Sequence, residues 1–99
     1  MIKHIVMFRI LEDVDAERKK ELATELSEIF SPLSAIKPVR DFVTGINFNP
    51  APHAWDFVID SAFDNKEKLE EYQVSFEHQE AIRKASHIKK EKAVVDYQY

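Results

Sequence analysis

Three side chains in this sequence have the types and the setting for proton transfer: His4 in the opening run MIKHIVMFRI, and Tyr72 and His78 in LEEYQVSFEHQEAI. Imidazole titrates nearest to neutral pH and so suits general acid/base work, while a phenol orients a substrate oxygen or stabilises an enolate by hydrogen bonding. The plainer reading is structural. A core histidine needs partners for its ring nitrogens, and a backbone carbonyl, Tyr72 or His78 would serve His4, clasping helix to sheet. Tyr72, at core spacing, would then pack with its hydroxyl at the mouth of a cleft. His78, just inside the start of a helix, is expected to be less basic than a free histidine because the helix dipole disfavours a cation there.

The other polar candidates carry less. His53 sits in the proline loop NPAPHAW and is expected to be solvated; His87, between Ser86 and Ile88, falls near a helix end. Trp55, beside the same loop, reads as a packing residue. No two histidines stand at i, i+4 on one helix and no carboxylate completes a two-histidine set, so no metal is expected. The chain has no cysteine, which removes disulfides and thiol nucleophiles. It also lacks a phosphate loop, a glycine-rich fingerprint and a serine elbow, so no cofactor is expected.

These residues need elements to position them. Ile2–Leu11 alternates as a strand that is apolar on both sides, with His4, Val6, Phe8 and Ile10 on one face and Ile5 and Met7 on the other. Asp13 or Asp15 caps a helix to about Phe30, striped by Leu22, Leu26, Ile29 and Leu33 and ended by Pro32. A second strand spans Pro38–Phe48, with Phe42, Thr44, Ile46 and Phe48 on one face, Val43 on the other, and Gly45 as a bulge or point of close approach. WDFVIDSAF reads as a third strand, with Trp55, Phe57, Ile59 and Phe63 on one face and Val58 and Ala62 on the reverse. A helix from Asp64 or Asn65 carries Leu69 and Tyr72, breaks near Val74-Ser75-Phe76 and restarts from Ser75 with His78, Ile82 and Ala85 inward. KAVVDYQY closes as a fourth strand, with Ala93, Val95, Tyr97 and Tyr99 on one face.

The order β-α-β-β-α-β is the ferredoxin-like arrangement, a four-stranded antiparallel sheet with its helices on one face and the first and third strands central. The whole of 1–99 reads as one α+β domain. Ile5, Met7, Val43 and Val58 then project from a sheet face that the chain cannot cover, which predicts a homodimer packing sheet to sheet. A net charge of −4 argues against nucleic acid as a partner. The basic run Arg83, Lys84, Lys89, Lys90 and Lys92 falls at the expected end of the last helix, where cations meet the helix dipole as a solvated face. No apolar run approaches the roughly 20 residues of a membrane helix and no signal peptide is discernible, so a cytoplasmic location is expected.

Four stretches in order resemble the stress-responsive α/β-barrel (Dabb) family: MIKHIVMFRI with its Lys-His, RDFVTGINF with its central glycine, LEEYQVSFEHQEAI at the helix junction, and the closing VVDYQY. The resemblance implies the dimeric barrel that the two-faced strands suggest, and a cleft between sheet and helices for a small, largely apolar or aromatic ligand. By position it carries over His4, Tyr72 and His78 from a plant polyketide cyclase of the family, with the junction histidine as base and the tyrosine as its partner. The cyclase's third-strand histidine is Phe57 here, its first-helix tyrosine is Leu26, and the usual His-Pro of the junction is Ser75-Phe76. Three functions follow as expectations: a ligand-binding dimer, a cofactor-independent cyclase or isomerase that abstracts a proton beside a carbonyl, and a cofactor-independent monooxygenase.

Overall fold

The computed structural model describes residues 1–11 and 13–99. Strand β1 (Ile2–Ile10) alternates buried and half-buried side chains along its whole length. It pairs antiparallel with β3 (Phe57–Phe63) on one side and β4 (Lys89–Gln98) on the other, and β2 (Arg40–Ile46) lies outside β3, giving the order β2-β3-β1-β4. With its crossing helices this is the expected ferredoxin-like fold, the first and third strands central.

Helix α1 (Ala16–Phe30) starts where the Asp15 carboxylate accepts from the Arg18 amide at 2.7 Å, and buries Leu22, Ala23, Leu26 and Phe30. Pro32 turns its end into a short 3-10 segment, Ser31–Ala35, which buries Leu33. Asn65 caps α2 (Lys66–Gln73), and Ser75 caps α3 (Phe76–Ala85). Ser75 works in both directions: its hydroxyl donates to the Tyr72 carbonyl at 2.7 Å and accepts from the His78 amide at 3.2 Å. One side chain therefore fixes how the helix carrying Tyr72 meets the helix carrying His78. Ser75→Ala is expected to cost about 1 kcal/mol, read as a drop of about 4–8 °C in thermal unfolding. A change below 1 °C would mean that the cap is dispensable.

The structure corrects several boundaries. β3 begins at Phe57, and Trp55 leaves the core face to lie under the Arg9 guanidinium, 4.5 Å from ring centre. β2 ends at Ile46 because Asn47 turns the chain, its amide donating to the Trp55 carbonyl and its side-chain oxygen accepting from the Asn49 amide. Phe48 is consequently 89% exposed and fills nothing. The irregularity in β2 sits at Asp41, whose φ is +48°, not at Gly45. Gly45 is instead a close approach, since a Cβ there would meet Val58 Cγ1 at 3.0 Å. Only Arg83 and Lys84 lie in the last turn of α3; Lys89, Lys90 and Lys92 belong to β4, because buried Ile88 pins the chain and strand alternation resumes directly after it.

The helices cover one face of the sheet, where Val6, Phe8, Ile10, Leu26, Phe30, Phe57 and Phe63 share a core. On the other face Ile5, Met7 and Val58 are half-buried, while Val43, Val95, Tyr97 and Tyr99 are exposed. The charges there are partly neutralised, with Lys3 Nζ 3.1 Å from Asp60. Among the described residues no helix is long and apolar enough to cross a membrane.

Candidate functional site

His4, Tyr72 and His78 come together between the sheet and the helices. His4 points inward from β1 and is nearly fully buried. The Tyr72 ring stands edge-on to it at 6.3 Å between centroids, and His78 stands edge-on to Tyr72 at 4.7 Å. Phe63 closes the group from below, 5.1 Å from Tyr72 and 6.3 Å from His4.

The partner of His4 is none of those expected from the sequence. Its Nδ1 bonds to the carboxylate of Asp96, which lies directly across the β1–β4 ladder. A carboxylate only accepts, so Nδ1 carries a proton and donates it to Asp96. The clue was in VVDYQY. Once Val95 is placed on the bare face, Asp96 falls on the helix side, and antiparallel pairing of the first and last strands brings it to His4.

Burial sets the protonation of the other two groups. It raises the Tyr72 phenol well above the ordinary tyrosine range, so the hydroxyl stays a hydrogen-bond donor. His78 is shifted down, first by burial and then by the charges of His4 and Lys92, against an opposing hydrogen bond with the Gln73 backbone. At neutral pH it is therefore an uncharged imidazole able to accept a proton. The sequence expectation had the right sign, with desolvation rather than the helix dipole leading.

The cleft is mostly closed. Phe8 stacks on Phe57 at 6.3 Å and tilts against Phe30 at 5.5 Å, and these three rings fill the interior beside the site. What remains is a hollow of about 60 Å³ bounded by His4, Tyr72, Gln73, His78 and Lys92, with Ile82 and Val94 among its apolar lining. Gln73 also borders a larger hollow of about 560 Å³ toward Ile2, Leu69, Asp96 and Tyr97. Neither Gln73 nor Lys92 had been singled out individually from the sequence. His53 is exposed, and exposed His87 faces Glu25 at 3.5 Å, so both lie outside the group. Among the described residues no cluster of three histidine or acidic side chains could hold a metal ion.

The stress responsive A/B barrel domain (Dabb) matches this sequence over residues 2–99. An uncharacterised protein of Streptomyces coelicolor is 31% identical over 83 residues, covering 83% of this chain and 84% of that protein. A dimeric protein of unknown function and ferredoxin-like fold from Bacteroides fragilis is similar in structure, with a TM-score of 0.86 at 31% identity over 99% of this chain and 95% of its own. The hydroxynitrile lyase of Passiflora edulis has the same fold, with a TM-score of 0.77 at 15% identity over 97% and 90% of the two chains.

Proposed function

Because the chain belongs to the stress responsive A/B barrel family, we propose that it works as a homodimer whose sheet–helix cleft takes a small, largely apolar or aromatic molecule against His4, Tyr72 and His78. The observation that carries this reading is the convergence of three polar rings, one backed by Asp96, in a cleft whose other lining is apolar apart from Gln73 and Lys92. Pairing through the bare sheet face is supported by its apolar residues and by the dimeric Bacteroides fragilis relative. The hollow is small, about 60 Å³, and so suits a functional group of the ligand, with Ile82 and Val94 offering apolar contact.

Acid/base catalysis is the second reading, favoured by the protonation of the two junction residues. Neutral His78 would take a proton from a carbon beside a carbonyl. The electron pair of the broken C–H bond would move onto the carbonyl oxygen, where the Tyr72 hydroxyl donates a hydrogen bond. The fold of the hydroxynitrile lyase gives this reading a precedent in architecture alone.

The test is a thermal-shift screen of the wild type and His78→Ala with aromatic acids, phenols and short polyketide mimics. A ligand at 100 times its Kd adds about 2.7 kcal/mol, so a true binder should raise the wild-type melting temperature by several degrees and the variant's by far less. If no compound shifts the wild type and the variant simply melts earlier, the three rings are a buried clasp and the binding reading is lost.

A further inference from the structure

We infer that the hollow beside His78 is a carboxylate pocket, and that Lys92 selects organic acids over neutral molecules of the same shape. The inference deepens the binding reading above and rests on it. The chain as a whole is acidic, with 18 Asp and Glu against 14 Lys and Arg. The lining of this hollow nevertheless contains no carboxylate: Asp96, the nearest acid on the same face of β4, is engaged by His4. What converges instead is a phenol, a side-chain amide and an ammonium, from Tyr72, Gln73 and Lys92. All three can donate to an anion, and a hydrogen bond from an ammonium to a carboxylate is stronger than one between neutral groups.

Lys92 is free to do this. No ion pair engages it among the described residues, whereas Lys3, Lys19 and Lys68 each face an acid. Its alternation in β4 turns it to the helix side opposite Phe8, away from the bare sheet face, so sheet-to-sheet pairing leaves it open. Size fits the same group, since a hollow of about 60 Å³ suits a compact polar group such as a carboxylate. The charge of Lys92, a smaller contributor than burial to the lowered basicity of His78, is the charge that draws an anion in.

Three matched pairs serve as probes: benzoate and benzamide, 4-hydroxybenzoate and 4-hydroxybenzamide, hexanoate and hexanamide, titrated at pH 7 and low salt by amide chemical-shift changes. For at least one pair the wild type should bind the acid about tenfold tighter or better. Lys92→Gln should bring the acid-to-amide ratio near one with the amide's affinity unchanged, and Lys92→Arg should restore it. Equal wild-type affinities within every pair that binds, or a preference that survives in Lys92→Gln, overturn the carboxylate pocket while leaving the cleft a binding site. If no member of any pair perturbs the cleft, the binding reading itself falls, and this inference with it.

Discussion

Replacing Phe8 by alanine is expected to lower the unfolding free energy by about 3–5 kcal/mol. The ring is fully buried on the central strand, stacked on Phe57 with the planes 5° apart and packed against Phe30 from the helix above. Its removal loses the transfer free energy of the side chain and leaves a cavity that neighbours on two different elements cannot both collapse into. Domains of this size are stable by only about 5–15 kcal/mol, so the loss would consume a large part of the total. Urea unfolding is the measurement, with the midpoint falling and the slope unchanged if the native surface is otherwise preserved. A loss under 1 kcal/mol would show that the three rings are not the rigid floor of the cleft. Phe8 also borders the hollow, so the same substitution couples stability to the room available for a ligand.

Val95→Glu is expected to convert the proposed dimer to a monomer of 11.6 kDa in light scattering. Val95 is half exposed on the bare face of the edge strand β4 and pairs in register with Ile5 of the apolar patch. In a two-fold interface the same residue appears on both sides, so one substitution places two carboxylates against apolar surface. The desolvation penalty of a buried, unpaired ion is several kcal/mol, so dissociation should be favoured by about a thousandfold or more, since each 1.4 kcal/mol is a factor of ten. Lys84→Glu, on the outer side of α3, should leave the mass unchanged. A wild type that is already monomeric at micromolar concentration, or a Val95→Glu variant that remains dimeric, would refute sheet-to-sheet pairing.

The readable parts of this fold were those written in strict periodicity. Ile2–Ile10 alternates cleanly because both of its faces are covered to different degrees, and Leu22, Leu26 and Leu69 mark helix faces at the expected spacing. The restart at Ser75 was also legible, because a capping residue between two short amphipathic stretches has few other uses. Phe48 and Trp55 were misplaced for a common reason. Asn47 and Asn49 direct the chain through side-chain hydrogen bonds, and those local turns override alternation that would otherwise have continued. The convergence of His4, Tyr72 and His78 was legible in the sequence, but their surroundings were not. Asp96 becomes a partner of His4 only through register, and the filling of the cleft by Phe30 together with Phe8 and Phe57 depends on how α1 lies across the sheet.

The bond from His4 to Asp96 joins residues 92 positions apart. It cannot exist until the last strand has docked against the first. An incompletely folded chain therefore presents no half-made version of the group: without β4 it lacks Asp96, Lys92 and Val94 together. Assembly of the cleft is in this sense a checkpoint on the two ends of the chain.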